Sequence, residues 1–384
     1  MRSRVLFHGV LCAAIVFLLV SSSYSYVSFV QATFQKKTPY EYHSYDSMTA
    51  LLQHLAMNHS DIMDVRSIGR TYEGRDVWMV KLSNNPTDNQ DEPAVLLMGA
   101  HHGNELPTYE SLIFFIDYVV NAYTTGNVDN DNDGLLNEDE FDGIDNDNDS
   151  SVDEDPSEER IISLVNDREI FVIPMVNPDG VEYGWRKNCA PNYGPFGHAG
   201  TISSYGVDLN RNYDYKWYLS YLLPLNYMLP FIMNDDSWNY RGEHPFSENE
   251  TQAVRDFVVG HENIKVSLSY HSYSEIILFP WTHTSLDTPD EDLFISVGEN
   301  MSRIDGYYLY TGGEYLIPRF MGTLGTSENW LYATQGILSY TMELCKTRAP
   351  TDPDVVLEYC MSHVGVNLYV AERSATIETK IQVS

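Results

Sequence analysis

The feature that most constrains the fold is an apolar run that ends in polar residues and is followed by a helical pattern. Residues 94–97 are apolar, and residues 101–105 (His-His-Gly-Asn-Glu) follow them. Apolar residues then recur at helical spacing at Leu112, Phe115, Ile116, Val119 and Val120. Open α/β sheets keep their chemistry where a buried strand ends. We predict a strand over 94–100, a helix from 105 to about 123, and a functional His102–Glu105 pair between them.

The same alternation of strands and helices continues along the chain. Strands are predicted around 64–68, 76–82, 169–176, 264–270 and 337–342. Helices are predicted at 45–57, 247–258, 291–303 and 353–372. Residues 177–180 (Asn-Pro-Asp-Gly) indicate a turn, and the stretch after 303 is predicted to be rich in loops. The pattern indicates an α/β fold, in one large domain or two small ones.

The first 25 residues are typical of a secretory signal peptide. Arg2 and Arg4 precede an apolar run over 5–20, and small residues suited to cleavage follow at 21–25. A further apolar patch at 26–30 leaves an uncleaved membrane anchor as the alternative. Either interpretation puts the rest of the chain outside the cytosol, so we expect a secreted or extracellularly anchored protein. Contact with a membrane is expected only if the leader is retained.

The formal net charge of −32 argues against a nucleic-acid partner, whose phosphates the protein would repel. The charge is concentrated locally, because fifteen acidic residues and no Lys or Arg lie between Asp129 and Glu159. This acidic stretch, 126–157, interrupts the α/β pattern and is interpreted as an insertion. A second insertion, rich in aromatic and apolar residues, is predicted over 214–239.

The spacing of the acidic residues resembles two successive calcium-binding loops. Calcium takes six to eight oxygen ligands, which explains carboxylates that alternate along a loop with a Gly at the sixth position. The predicted ligands are Asp129, Asp131, Asp133, Leu135 (through its carbonyl) and Glu140 in the first loop, and Asp145, Asp147, Asp149 and Asp153 in the second. The second loop is less regular, and a solvated acidic loop is the alternative. We predict two structural Ca²⁺ ions that take no part in chemistry.

The cysteines do not suggest a cysteine zinc site. Cys12 lies in the leader, which leaves Cys189, Cys345 and Cys360. These three permit one disulfide and one free thiol, and the sequence favours Cys345 with Cys360 because they are close along the chain.

Polar groups able to bind a metal follow several of the predicted strands. His102 and Glu105 follow one strand, and His271 and Glu343 follow two others. Two His and one Glu form a complete protein ligand set for a catalytic zinc, whose fourth position is left to water. A single His at a strand end is more often a core residue whose hydrogen bonds are satisfied. The prediction therefore rests on the occurrence of all these groups at strand ends.

With these motifs the sequence resembles the zinc carboxypeptidase family, typified by pancreatic carboxypeptidases A and B. The matching motifs occur in order over 40–375, at 102–105, 177–180, 185–187, 206–212, 245–248, 271–274, 325–327 and 341–343. The resemblance implies one α/β domain with a central mixed, mostly parallel, twisted sheet flanked by helices. The catalytic domain is therefore expected to cover 26–384.

The resemblance also implies roles for individual residues. It implies that His102, Glu105 and His271 bind one zinc, that Glu343 is the general base, and that Arg186 stabilises the oxyanion. His101 is expected to be a bystander.

Four further residues are implied to bind substrate or to orient a ligand. Asn210 and Arg211 are expected to hold the free C-terminal carboxylate, for which the planar Arg fork is suited. Asp208 is expected to orient a metal-binding His. Glu328 falls where a side chain floors the specificity pocket, and an acid there would favour Lys or Arg at the C-terminus of the substrate.

Two positions depart from the family pattern. Met321 stands where a mobile, substrate-contacting Tyr is expected, and the sequence leaves open whether Tyr310 or Tyr315 replaces it. Asn104 stands where an Arg usually precedes the metal-binding Glu, which removes one carboxylate-binding subsite.

The leading hypothesis is a secreted, zinc-dependent metallocarboxypeptidase that acts on peptide or protein C-termini. One alternative is a zinc amidase acting on a peptidoglycan-type or other amide. The other is a catalytically silent binding module stiffened by calcium. The sequence leaves the oligomeric state open.

Overall fold

The computed structural model describes residues 40–125, 158–188, 206–218, 238–315 and 323–381, and the statements below refer to these ranges. The predicted leader, both calcium loops, Cys189 and Met321 lie outside the described residues. Of the predicted 214–239 insertion, only 214–218 and 238–239 are described.

The chain divides into two units, and the larger one contains the sheet and the candidate site. The smaller unit includes the described residues 40–41 and 351–354, in which the Tyr40 N–H donates to the Thr351 carbonyl at 2.8 Å. The larger unit comprises 42–350 and 355–384.

The larger unit is built around one eight-stranded mixed sheet. The strands are β1 (Met63–Arg70), β2 (Asp76–Leu82), β3 (Ala94–Met98), β4 (Glu169–Ile173), β5 (Ile264–Ser272), β6 (Ile276–Phe279), β7 (Tyr308–Thr311) and β8 (Leu338–Leu344). Their order is β1-β2-β4-β3-β5-β8-β6-β7. The β4–β3, β3–β5, β5–β8 and β6–β7 pairs are parallel, and β1–β2, β2–β4 and β8–β6 are antiparallel. The predicted mixed α/β fold is confirmed.

Helices flank this sheet. They are α1 (Tyr45–Asn58), α2 (Pro107–Thr125), α3 (Glu158–Asp167), α4 (Pro178–Glu182), α5 (Asn249–Val259), α6 (Glu291–Asp305), α7 (Ser327–Gln335) and α8 (Pro353–Arg373), with 3-10 turns at Leu209–Arg211 and Ser374–Thr376. Among the described residues, no helix combines the length and apolar character needed to cross a membrane.

Burial explains why the central strands form where they do. All five residues of β3 and all five of β4 are buried, as expected for parallel strands that are covered on both faces. The predicted stripe on α2 is confirmed, since Leu112, Phe115 and Val119 are fully buried. These layers hold the carboxyl ends of β3, β5 and β8 at one edge of the sheet.

The structure corrects two predictions from the sequence and adds elements that were not predicted. Residues 177–180 are not a simple turn, because Asn177 caps the short helix α4 by accepting from the Gly180 N–H at 2.8 Å. The strands β5 and β8 include His271 and Glu343 rather than ending before them. Helices α3 and α7 and the short strands β6 and β7 were not predicted.

The favoured Cys345–Cys360 disulfide is also wrong, because both residues are free, buried thiols. Cys345 lies directly after β8 in a left-handed conformation with φ 61°. Cys360 lies within α8, where its Sγ is 3.8 Å from the hydroxyl of Ser111. The two thiols thus belong to different elements, and closeness along the chain was a poor guide to their pairing.

Candidate metal centre and active site

The candidate site lies at the carboxyl ends of three neighbouring strands. β3 and β8 both run parallel to β5, so the three strands end at the same edge of the sheet. His271 of β5 is directly paired with Glu343 of β8. His102 and Glu105 follow β3. The parallel register therefore brings together side chains that are more than 160 residues apart in sequence.

The loop that carries His102 is fixed by close backbone packing. A Cβ on Gly103 would lie 2.0 Å from the carbonyl carbon of Gly180, so only glycine fits. The Asn177 side chain donates to the carbonyls of His101 at 3.2 Å and Arg186 at 3.3 Å. The Asn-Pro-Asp-Gly motif thus holds the loop against the start of α4.

His102, Glu105 and His271 form a compact buried cluster. Their donor atoms all lie within 4.8 Å of one another, and no other group of this kind occurs among the described residues. His102 Nδ1 is 3.0 Å from Glu105 Oε1, and His271 Nδ1 is 3.1 Å from both Glu105 Oε2 and His102 Nδ1. The same ring nitrogen of each His, Nδ1, faces the centre of the cluster.

Two neighbours determine which nitrogen of His102 carries the proton. His102 Nε2 lies 3.0 Å from Asp208 Oδ1, and an ionised carboxylate only accepts hydrogen bonds. Arg186 Nη1, which only donates, is 3.1 Å from His102 Nδ1. A proton on Nε2 satisfies both of these neighbours and leaves the Nδ1 lone pair directed into the cluster, as binding of a cation beside Glu105 would require. A carboxylate that accepts from the outer nitrogen is the usual arrangement around a metal-binding His.

The charges of the cluster follow from burial and from these contacts. Burial alone would raise the pKa of Glu105, but His102 and His271 hold it well below the usual range. Burial would also raise the pKa of Asp208, but Arg186 and Arg211 hold it well below its usual range. Burial lowers the pKa of His271 to about 4. Both carboxylates are ionised at neutral pH, and the His271 ring is neutral.

This donor set fits a zinc ion. Zinc prefers neutral imidazoles and carboxylates, and a catalytic site offers three such ligands with one position open. Without a cation, the lone pairs of His102 Nδ1 and His271 Nδ1 would face each other at 3.1 Å. A divalent cation would satisfy both lone pairs and the charge of Glu105 at once. His102, Glu105 and His271 are the residues that would hold it.

Arg186 and Glu343 both adjoin the cluster. The Nε and Nη2 atoms of Arg186 donate to Asp208 Oδ2 at 3.1 and 2.9 Å, which leaves Nη1 directed toward the ligand atoms. Burial, together with the charge of Glu105, raises the pKa of Glu343 to about 8. Glu343 remains partly exposed.

Asn210, Arg211 and Glu328 lie beside the cluster. Asn210 Nδ2 is 3.1 Å from His271 Nε2, and Asn210 Oδ1 accepts from the Ser327 N–H at 2.8 Å. The next residue of α7, Glu328, is buried, and its Oε2 has no hydrogen-bond partner within the described ranges. Burial raises the pKa of Glu328, while the charge of Arg211 opposes this shift. The side chains that could hold a carboxylate and a cation are thus adjacent.

A family model described as zinc carboxypeptidase matches residues 48–360. The chain belongs to the zinc carboxypeptidase family. The matched range contains the whole His102, Glu105 and His271 cluster, together with Glu343. Membership in this family implies a catalytic Zn²⁺, in agreement with the donor set described above.

Curated relatives of this family member are similar over most of its length. The zinc carboxypeptidase of Saccharothrix mutabilis subsp. capreolus is 29% identical over 318 residues, which are 79% of this chain and 62% of that protein. Carboxypeptidase B of Astacus astacus is 27% identical over 321 residues, 80% of this chain and 87% of that protein. Carboxypeptidase A1 of Mus musculus is 26% identical, over 80% of this chain and 63% of that protein. The chain thus spans less than two thirds of the bacterial and mouse proteins.

Solved structures support the carboxypeptidase fold. The crystal structure of thrombin activatable fibrinolysis inhibitor superposes with a TM-score of 0.67 at 21% identity, covering 87% of this chain and 75% of that one. Carboxypeptidase A from Helicoverpa armigera gives a TM-score of 0.64 at 21% identity, covering 88% and 74%. At these identities the likeness concerns the fold alone.

The residues predicted from the sequence fall into two groups. The structure brings nine of them into one connected site: His102, Glu105, Arg186, Asp208, Asn210, Arg211, His271, Glu328 and Glu343. The predicted calcium ligands lie outside the described residues.

At the departures from the family pattern, Asn104 Oδ1 is buried without a hydrogen-bond partner in the described part of the chain. The Tyr315 hydroxyl donates to Ser274 Oγ at 3.3 Å, three residues beyond His271.

Sequence reasoning missed a set of contacts behind the cluster in this family member. His101 is fully buried, and its Nε2 lies 2.9 Å from the Tyr213 hydroxyl. His101 Nδ1 lies 3.2 Å from Ser269 Oγ, which is also 3.2 Å from His271 Nε2. The position of Ser269, two residues before His271 on one strand, was a usable signal, because alternate residues share a face.

Proposed function

We propose that this protein is a zinc-dependent carboxypeptidase that removes residues from the C-termini of peptides. The observation that supports it most strongly is the buried His102, Glu105 and His271 cluster, with Glu343 paired to His271 across the sheet. Family membership adds the expectation of a catalytic zinc. The substrates proposed are peptide or protein C-termini.

Hydrolysis at this site needs a polarised carbonyl and an activated water. A bound Zn²⁺ supplies Lewis acidity toward both. Glu343 would accept the proton of the water that attacks the carbonyl carbon and would pass it to the nitrogen that leaves when the C–N bond breaks.

Arg186 is suited to stabilise the oxyanion that forms on the substrate carbonyl. Its guanidinium is held by Asp208 through two donors, and its third nitrogen is directed at the ligand atoms. A cation fixed in a buried site stabilises the negative charge that develops on the carbonyl oxygen without reorganising during the reaction.

The free C-terminal carboxylate would be held by Asn210 and Arg211. Asn210 presents its amide NH₂ because its Oδ1 is occupied by the Ser327 N–H. Arg211 Nη1 donates to the Asn210 carbonyl at 2.6 Å, which ties the two residues together. The pair would make the enzyme an exopeptidase, because a substrate without a free carboxylate offers it no acceptor.

Glu328 supports a preference for Lys or Arg at the C-terminus of the substrate. Its buried Oε2 has no hydrogen-bond partner among the described residues, and a cationic side chain would satisfy it. A charge-assisted hydrogen bond of this kind is worth about 1.5–3 kcal/mol.

Three features of the whole chain belong to the same proposal. We propose a catalytic domain over 26–384, secretion directed by residues 1–25, and two Ca²⁺ ions bound by the 129–153 loops. The signal-like leader and the paired acidic spacing support these statements.

The test is a set of matched peptides that differ only at the C-terminus, read by mass spectrometry. We expect single residues to be released from the free acid, and Lys or Arg to be released faster than Leu. The same peptides with an amidated C-terminus should not be cleaved, and equal turnover of the amides would refute the carboxylate clamp.

Glu328→Gln is the matched variant for the specificity. It should reduce the preference for Lys over Leu by about tenfold or more, because one charge-assisted contact is lost, while release of Leu persists. An unchanged preference would remove Glu328 from the pocket floor.

A further inference from the structure

His101 lies behind the metal cluster and contacts it through one serine. Its Nδ1 is 3.2 Å from Ser269 Oγ, and the same oxygen is 3.2 Å from His271 Nε2. On the other side, His101 Nε2 is 2.9 Å from the hydroxyl of Tyr213. The His101 and His271 rings are stacked, with centroids 5.6 Å apart. His101, Ser269 and His271 are all buried, so no bulk water substitutes for these partners.

His271 has two neighbours at its outer nitrogen, and they require opposite proton positions. Asn210 Nδ2 lies 3.1 Å from His271 Nε2 and can only donate, since Asn210 Oδ1 accepts from the Ser327 N–H. A donor there requires a lone pair on Nε2, which leaves the proton on Nδ1 and blocks metal binding. Ser269 Oγ can instead accept from a protonated Nε2, which frees the Nδ1 lone pair for a metal.

Ser269 accepts from His271 best when its own hydroxyl proton points elsewhere. His101 Nδ1 is the acceptor within reach, provided that the His101 proton is on Nε2. The Tyr213 hydroxyl can accept that Nε2–H. The chain of donors then runs in one direction, from His271 to Ser269 to His101 to Tyr213. Reversing it places a proton on His271 Nδ1.

We propose that His101 is a positioning residue that selects, through Ser269, the His271 tautomer able to bind the metal. This inference rests on the proposed metal-binding function of His271. It has a consequence for substrate binding: with the proton on His271 Nε2, the Asn210 amide loses its acceptor on the ring. Asn210 is then released to the carboxylate of the substrate, so loading of the metal and readiness of the clamp are coupled.

The test compares His101→Leu with His101→Asn. Leu fills the space but accepts no hydrogen bond, whereas the Asn Oδ1 can accept from Ser269 near the position of His101 Nδ1. We expect the zinc dissociation constant, measured by competition with a chromophoric chelator, to rise about tenfold in His101→Leu and less in His101→Asn. The visible spectrum of the Co²⁺-substituted protein should shift more in His101→Leu.

A purely structural role predicts the opposite order, because Leu preserves packing and Asn leaves a void. Weaker zinc binding in His101→Asn than in His101→Leu would therefore overturn the proposal. Tyr213→Phe is an independent variant that leaves every ligand and His101 in place. It should also weaken zinc binding, because His101 loses the acceptor for Nε2–H, and unchanged zinc affinity would count against the proposal.

The proposal and the proposed function fail in different ways. If the unmodified protein takes up no zinc, the metal site itself is refuted and this proposal with it. If the unmodified protein binds zinc and cleaves peptides but the two His101 variants show the reversed order, only the role of His101 is refuted.

Discussion

The two faces of strand β5 carry two buried groups of His and acidic residues that differ in organisation. His271 and its neighbour Tyr270 point to opposite faces of the sheet. On the first face, His271 joins His102 and Glu105 with carboxylate-to-imidazole distances of 3.0 and 3.1 Å. On the second face, the Tyr270 ring packs against His363, whose Nε2 lies 4.0 Å from Asp305 Oδ2.

The second group contains acid and imidazole but no convergent ligand set. His363 Nδ1 donates to the Tyr359 carbonyl at 2.7 Å, and Asp305 Oδ1 accepts from the Tyr307 N–H at 2.9 Å. The two atoms that face each other, His363 Nε2 and Asp305 Oδ2, have no hydrogen-bond partner in the described ranges. On the first face Asp208 orients the ring of His102 in a similar way. The difference between the faces is that two imidazoles and one carboxylate converge on the first face.

The largest expected effect is a difference in bound zinc between variants of His271 and of His363. His271→Ala removes one of the three proposed ligands, so we expect loss of bound zinc and of peptide cleavage. His363→Ala is the matched control, a buried histidine on the other face, and should keep about one zinc per chain. Elemental analysis of folded, dialysed protein measures both. Zinc retained in His271→Ala, or lost in folded His363→Ala, would contradict the assignment of the metal to the first face.

The Asp305–His363 pair predicts a smaller effect on stability that depends on pH. Burial raises the pKa of Asp305 from 3.8 to about 7 and lowers the pKa of His363 from 6.5 to about 4. The stability contributed by Asp305 is therefore lost as the pH rises toward 7, and that of His363 is lost as the pH falls toward 4. Between about pH 4 and 6.5 the folded and the unfolded pair each bind one proton, so the two contributions cancel.

Single variants of this pair remove the cancellation. Relative to the unmodified protein, Asp305→Asn should gain stability as the pH rises from 4.5 to 6.5, and His363→Leu should lose it. The free energy of unfolding of each variant should change with pH by at most about 1.4 kcal/mol per pH unit, with opposite signs for the two variants. Urea unfolding of the metal-free proteins across this range measures them. Parallel stability curves for all three proteins would show that the pair does not share a proton in this way.

The sequence predicted the elements whose apolar pattern is long and continuous. The strands at 94–98 and 169–173 are buried throughout, and the apolar stripe of α2 is regular. The strands β6 and β7 were missed because each has four residues, and β7 is an edge strand with exposed Tyr308 and Tyr310. Helix α7 was missed because its buried residues do not recur at helical spacing: Ser327, Glu328 and Asn329 are buried polar residues, and the buried apolar ones, 330–332, are consecutive.

The candidate site was predictable only in part. Strand ends suggested His102, Glu105 and His271, but their assembly depends on the parallel register of β3, β5 and β8, which spacing along the chain does not reveal. His101 was expected to be a bystander, and the sequence did not reveal its contacts with Tyr213 and Ser269, which are 112 and 168 residues away. Contacts between such distant residues are set by the packing of the sheet rather than by any local pattern.

In the proposed function, the His102, Glu105 and His271 cluster binds a metal while Glu343 beside it carries out the proton transfer. Glu343→Gln tests it most directly, because glutamine keeps the shape of the side chain but cannot accept the proton. We expect about one zinc per chain in this variant, and peptide cleavage reduced by about 10²- to 10⁴-fold. A zinc-loaded Glu343→Gln protein that cleaves peptides at the unmodified rate would rule out proton transfer by Glu343.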